Sequence, residues 1–393
     1  MLPSRFIANP FFIESSPEVV RFDLNRALSF HHSLPFYQPT PLVRLPNLAR
    51  KLGLKNIFVK DESHRFGLNA FKAIGASYAI YRFLDEQHQA RNGEPLASEL
   101  LFSRKYADQS HPYTFTTATD GNHGRAVAWV ARQLGQRAVI YVPENMKEIR
   151  KQAIEAEKAE VIMVAGHYDA AVAQMARDAE QNGWQIISDT AWPGYEQIPH
   201  WIMEGYQTIF YEADQALASK EKPDIVLIQA GVGGLAAAAA GYYVGRYPNT
   251  HPKLVCVEPL DADCLLESIA SGKGEMAHAK GQQNSIMSGL NCGTPSSLAW
   301  PIVKSCFHSF LAIDDTWAAR AMRTLFHAHR GDQPVVAGET GAAGLAGLLA
   351  LCDDPALGTI RERLHLTDQS TIMVINTEGD TDPEHFQEII RQR

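Results

Sequence analysis

Residues 113–145 read YTFTTATDGNHGRAVAWVARQLGQRAVIYVPEN. This stretch parses as a strand (Tyr113–Ala118), a turn at Asp120-Gly121-Asn122, a helix (Asn122–Leu134) and a second strand (Arg137–Val142). The pattern continues downstream with a helix over Lys147–Lys158, a strand over Glu160–Val164, a helix over Tyr168–Asn182 and a strand over Trp184–Ser188. Strands alternating with helices predict a parallel sheet covered on both faces. The chain is therefore α/β, and ligands of such sheets bind at the carboxyl ends of the strands.

Working outward, a strand at Ile57–Lys60 precedes the loop DESHRFGLN and a helical pattern from Ala70 to Leu84. A helix over about Trp201–Leu217 leads to a second open series. It contains a strand at Asp224–Gln229, the turn GVGG, an Ala-rich helix and a strand at Lys253–Glu258. Residues 272–300, rich in Gly, Ser and Asn, read as a long loop. Helices are expected near 315–329 and 341–351, with a buried strand at Thr371–Asn376. Residues 1–50, Pro-rich with an apolar NPFFI, read as an irregular arm wrapping the body or a partner subunit. That arm is the argument for a homodimer, since most oligomers are twofold.

The bulk properties exclude several classes. A chain of 393 residues with 45% hydrophobic content suggests two or three domains with real cores. A net charge of −8 leaves no electrostatic footprint for nucleic acid or an anionic membrane. No apolar run reaches membrane-span length, and MLPSRFIANPFF lacks the pattern of a signal peptide, so a cytoplasmic protein is expected. The five cysteines form no C-x-x-C pair and read as reduced thiols. Cys264 and Cys292 flank the Gly/Ser-rich loop, where a disulfide would order it, though two unrelated thiols is the simpler reading. The histidines show no metal spacing, so no metal is expected.

Four segments carry chemistry. In KDESHRFGLNAFKAIG (60–75), Lys72 is flanked by Phe71, Ala73, Ile74 and Gly75. A lysine in apolar surroundings loses basicity and becomes a nucleophilic amine. A solvated helix residue is the plain alternative. In TATDGNHGRAVAW (117–129), Asp120, Gly121 and Asn122 form a turn and N-cap, and Gly124 permits close backbone approach. The turn explains Asn122-His123-Gly124 less well, and its amides suit an anion. In QAGVGGLAAAAAG (229–241), a Gly-rich strand-to-helix turn cradles phosphate. Gly231, Gly233 and Ala236 also fit G-x-G-x-x-A, with Glu258 where a ribose-binding acid would lie, so an NAD-dependent oxidoreductase competes here. Tight helix–sheet packing would need the same residues. In VINTEGD (374–380), Thr377 ends a buried strand as a cap or as a hydroxyl facing a ligand. Two further acids stand at strand or helix ends: Asp189 in SDTAWPGYEQIP, and Glu339 in GETGAAGLAGL. Each serves equally as a turn cap or a ligand group.

Taken together and in this order, the segments resemble the fold-type II pyridoxal-phosphate enzymes, the family of threonine dehydratase, tryptophan synthase β and cysteine synthase. KDESHRFGLNAFKAIGASYA, TATDGNHGRAVAW, SDTAWPGYEQIPHWIMEGY and QAGVGG are most similar to the diaminopropionate ammonia-lyase branch, from about residue 38 to the C-terminus. The resemblance implies two open parallel-sheet, three-layer domains (1–78 with 205–393, and 79–204) with the cofactor in the cleft between them. It implies pyridoxal 5'-phosphate on Lys72 as a Schiff base, with Asn122 at its phenolic oxygen. Gly231, Val232, Gly233 and Gly234 would bind its phosphate, Thr377 would face its pyridine nitrogen, and Glu339 would approach its ring. It further implies β-elimination of ammonia from D- and L-2,3-diaminopropionate to give pyruvate. Asp120 and Asp189 would hold the substrate's second amine, Asp120 would be the base for the D-isomer, and Lys72 would move the Cα proton. A serine/threonine dehydratase-like activity is the neighbouring alternative. Asp120 separates the two, because a cationic β-amine needs a carboxylate and a hydroxyl does not.

Overall fold

The computed structural model describes residues 2–14, 22–103, 111–119, 121–217 and 221–392. Asp120 lies outside them. Among the described residues eleven strands occur in chain order: β1 (Arg5–Ala8), β2 (Leu42–Arg44), β3 (Asn56–Asp61), β4 (Thr114–Ala118), β5 (Arg137–Pro143), β6 (Glu160–Val164), β7 (Gln185–Ile186), β8 (Ile225–Gln229), β9 (Lys253–Pro259), β10 (Ser309–Ile313) and β11 (Thr371–Asn376).

The chain forms two compact units. The first comprises Met1–Phe22, Pro39–Asn69 and Ile209–Arg393; the second comprises Asp23–Gln38 and Ala70–Thr208. The first holds a seven-stranded sheet ordered β1-β10-β9-β8-β11-β3-β2. Its five inner strands run parallel, and β1 and β2 add antiparallel edges. β3, β8 and β11 are buried along their whole length, which explains their near-continuous apolar sequences. The helix Ala343–Asp353 packs into this core with no polar side. The second unit holds a parallel four-stranded sheet ordered β6-β5-β4-β7, with Tyr168–Asn182 packed on it.

The unit boundaries depart from 1–78, 79–204 and 205–393. Residues 23–38 and 70–78 belong with the smaller sheet. The physical reason is helix Lys72–Asn92, which runs two turns past Leu84 and is nearly all buried through its first ten residues. Helix Leu24–Ser33 packs on it, with Phe30 stacked on Tyr81 at 4.5 Å and His31 Nε2 bonded to the Ile74 carbonyl at 2.9 Å. The N-terminal segment is also no free arm. Arg5–Ala8 pairs with β10 of its own chain, which removes the arm as an argument for a partner subunit. Residues 264–270 and 299–306 are helical, and β10 completes the sheet between them and residues 315–327. No disulfide joins any of the five cysteines, Cys264 and Cys292 included.

Candidate active site

In the larger unit, the turns at the carboxyl ends of β3, β8 and β11 are fastened together by backbone and amide contacts. Asn376 Nδ2 donates to Asp61 Oδ1 at 2.8 Å, and the Gly379 amide donates to the Asn69 carbonyl at 3.0 Å. A Cβ on Gly379 would meet Asn69 Oδ1 at 2.1 Å, so TEGD requires glycine there because two chains touch. Phe66 and Asn69 both adopt positive φ (51° and 60°), a conformation costing free energy that this fastening maintains. Below the loop, Lys60, Glu62, Arg65 and Glu212 form a closed ion cluster with Thr40. Lys60 Nζ lies 2.5 Å from Glu212, and Arg65 bonds both carboxylates at 2.8 Å. Burial pushes the Glu212 carboxyl up, but Arg65 and Lys60 outweigh it and hold it down at about 2.

The Gly-rich turn follows β8. Gly233 has φ 100° and stands at the N-cap of helix Gly234–Arg246, so the cap residue offers no side chain to the first amides. A helix start behind a left-handed glycine suits an anion such as phosphate. The dinucleotide alternative fails at Glu258. That carboxylate is fully buried and accepts the Leu265 and Leu266 amides, each at 2.8 Å, at the start of the next helix. Nothing of it remains for a ribose. Thr377 is buried, and its hydroxyl oxygen accepts from Gln229 Nε2 at 3.1 Å. Gln229 also donates to the carbonyls of Ile375 and Thr340, which fixes its nitrogen on that side. With one lone pair taken, the Thr377 proton is the part left to give to an acceptor. Glu339 is buried and bonded to His385 Nδ1. Burial, and next Glu378, raise its carboxyl above the ordinary range. That partner favours the structural alternative for Glu339.

In the smaller unit, Lys72 is the first residue of its helix and Asn122 the first of helix Asn122–Gln133. Asn122 is therefore not the cap. Thr119 Oγ1 does that work, accepting from the amides of Gly121 and Gly124 at 3.0 Å each. Gly124 needs its hydrogen: a Cβ would lie 2.2 Å from Thr119 Cγ2. The same turn buries His123, which faces the end of β7. Lys72 Nζ sits 2.5 Å from Asp189 Oδ2, over the rings of Phe71 (5.1 Å) and Tyr206 (6.0 Å). Gly75 and Gly205 let the two helices carrying Lys72 and Tyr206 nearly touch; a Cβ on Gly75 would strike Tyr206 Cε1 at 2.4 Å. Asp189 is positioned from behind by Tyr195, whose hydroxyl accepts the Ser188 amide at 2.8 Å and donates to the Ile186 carbonyl at 3.0 Å. Burial raises the Asp189 carboxyl, but the Lys72 ammonium in contact with it counters this, and the carboxyl lies well below the usual carboxylate range. His123 is shifted the other way: burial lowers its basicity, Asp189 partly restores it and Lys72 opposes.

Sequence reasoning thus placed Lys72 and Asp189 among the candidates without seeing that they touch. It missed Gln229, Tyr195 and His123 as participants. His123 carried a signal, since the capped-turn reading left it unexplained.

The smaller unit thus presents an amine against a carboxylate of lowered pKa, and the larger unit a glycine-led helix start and a buried threonine hydroxyl. The chain belongs to the pyridoxal-phosphate dependent enzyme family, whose profile matches residues 34–377. It is similar to the diaminopropionate ammonia-lyase of Escherichia coli (strain K12), at 42% identity over 384 residues, covering 97% of this chain and 95% of that one. The crystal structure of the holo form of the E. coli enzyme superposes with a TM-score of 0.91 at 40% identity, covering 100% of this chain and 97% of that one. A second structure of it, with the aminoacrylate-PLP azomethine reaction intermediate, gives a TM-score of 0.90 at 40% identity, covering 100% and 98%.

Proposed function

We propose that this enzyme is a carbon–nitrogen lyase acting on 2,3-diaminopropionate, which with one water becomes pyruvate and two ammonia. The observation that carries the reading is the ion pair of Lys72 with Asp189, set beside buried His123. A carboxylate held ionised in a half-buried pocket suits a substrate with a second cationic amine, and it has no counterpart in the needs of a hydroxyl substrate. The similarity to diaminopropionate ammonia-lyase over nearly the whole chain supports the same substrate.

Pyridoxal 5'-phosphate, when bound, supplies the electron sink for a negative charge at Cα. The chain's own residues do the rest. Lys72 would hold the cofactor through Nζ, and the same amine would move the Cα proton of the L-isomer. Asn122 would bond the cofactor's phenolic oxygen, the amides of Gly231, Val232, Gly233 and Gly234 would bind its phosphate, and Thr377 would donate to its pyridine nitrogen. A neutral donor leaves that nitrogen unprotonated and limits electron withdrawal, which suits an elimination where a leaving group departs promptly. Asp189 and Asp120 bind the β-ammonium and keep it protonated, so that it leaves as ammonia. Asp120 also serves as base for the D-isomer. Twofold assembly is the commonest among oligomers, and five unbridged thiols fit a reducing compartment, so we propose a cytoplasmic homodimer.

Each enantiomer should be incubated with the holoenzyme, and pyruvate and ammonia counted. Two ammonia per pyruvate from both supports the reading. Keto acid from serine or threonine with none from diaminopropionate would make the enzyme a dehydratase instead.

A further inference from the structure

We propose that His123 is a specificity-determining residue that accepts a hydrogen bond from the substrate's β-ammonium, sharing that cation with Asp189. The inference rests on the lyase reading and goes beyond it, because it assigns the choice between amine and hydroxyl substrates to two acceptors rather than to a carboxylate alone.

The argument begins with the tautomer. His123 is only 6% exposed, and its Nε2 lies 2.7 Å from the carbonyl of Ile187. A carbonyl can only accept, so Nε2 carries the proton. In the neutral ring the other nitrogen, Nδ1, then presents a lone pair. Burial favours that neutral form. Nδ1 is itself buried and has no hydrogen-bond partner among the described residues. It points to Asp189, whose Oδ2 is 3.8 Å away. Both groups are acceptors, and neither can satisfy the other. Lys72 approaches Asp189 from its own side at 2.5 Å, and no described residue donates to Nδ1.

Such a pair calls for a donor with at least two hydrogens. When the lysine nitrogen is bonded to the cofactor, Asp189 also loses its cation. A β-ammonium brings a positive charge and three N–H groups, enough for Asp189 and for His123 Nδ1 together. A β-hydroxyl brings one O–H and no charge, and leaves one buried acceptor unpaired. Sites built around paired polar groups reject analogues lacking the matching donors by this mechanism. The Ile187 bond makes the ring rigid, so the lone pair is aimed before substrate arrives.

Two variants separate this role from a packing role. His123→Gln keeps a donor for the Ile187 carbonyl and removes the acceptor at the Nδ1 position. His123→Asn places an amide oxygen near that position and gives up the Ile187 bond. The holoenzyme should be assayed with 2,3-diaminopropionate, and with serine as substrate or competitive inhibitor. His123→Gln should raise KM for diaminopropionate relative to the KM or Ki for serine by roughly 10- to 100-fold, and His123→Asn should recover part of that discrimination. Nitrogen-15 NMR of the wild-type imidazoles should show His123 protonated at Nε2 alone at neutral pH. An equal loss on both compounds, an unchanged ratio, or a proton on Nδ1 at neutral pH would overturn the assignment. Wild-type enzyme that makes no pyruvate from diaminopropionate would overturn the lyase reading itself, whatever the variants do.

Discussion

Replacing Asp189 by asparagine removes one charge and little else. The amide keeps the size of the carboxylate and leaves the Tyr195 bonds to Ser188 and Ile186 in place. What it takes away is the anion 2.5 Å from Lys72 and the counter-charge for any ammonium in the same place. A hydrogen bond to a charged group contributes about 1.5–3 kcal/mol, which corresponds to roughly 10- to 200-fold in kcat/KM. The loss should fall on diaminopropionate, whose β-amine is cationic, and should spare serine. It should also touch both enantiomers, since binding the amine does not depend on the face from which the Cα proton leaves. The assay is initial-rate pyruvate production from each enantiomer, with KM and kcat separated and serine as the reference ligand. If Asp189→Asn slows diaminopropionate by less than about threefold, or slows serine equally, Asp189 is a partner of Lys72 alone and the amine-binding argument fails.

Asp120→Asn should reduce turnover of the D-isomer by about 10²–10⁴-fold, the size of a lost general base, with a smaller loss on the L-isomer; an equal loss on both would leave it amine binding alone, and no loss beyond a few-fold on either would restrict it to the turn. Glu212→Gln leaves Lys60 and Arg65 sharing one carboxylate in a buried cluster, and should cost about 3–5 kcal/mol in urea-unfolding stability; an unchanged midpoint would show the cluster is balanced without it. His308 has its basicity lowered to about 4 by burial, then by His251 and Lys253, and its Nδ1 accepts the Leu254 amide. The unfolded chain binds this proton from the ordinary 6.5 downward while the folded chain does not. Stability is therefore full above pH 6.5, falls as pH drops and levels off below about 4, a loss of about 3 kcal/mol. His308→Asn, which can accept the same amide without titrating, should flatten that part of the stability profile; an identical profile would place the acid sensitivity elsewhere.

The legible parts of the fold were those with strong local signals. β6, β11 and helix Tyr168–Asn182 fall where periodicity puts them, because each is a regular element bounded by turn residues. β1 and β2 were invisible for a physical reason: they are edge strands of four and three residues whose identity comes from their partners. β10 hid within a region whose loop-like composition extends up to its preceding helix. Among the candidate site residues, Lys72, Asn122, the Gly231–Gly234 turn and Thr377 stand out in the sequence because each combines an unusual residue with a strand or helix end. Asp189 was visible only as a candidate, and its contact with Lys72 joins positions 117 residues apart. Gln229 and Tyr195 act through distant carbonyls and amides that no local pattern encodes. The Glu258 spacing misled in the opposite sense: an acid at the end of the next strand fits a ribose contact and a buried helix cap equally well until its burial is seen.

The central claim is that Lys72 is the residue bonded to the cofactor. The holoenzyme should be reduced with borohydride, digested with trypsin and its pyridoxyl peptide mapped by mass spectrometry. A modified Lys72 resists cleavage, so the account predicts the label on residues 66–82, FGLNAFKAIGASYAIYR, with the intact lysine bond inside. Label on another lysine, Lys60 or Lys147 among them, or no trapped cofactor in a preparation with full lyase activity, would contradict it.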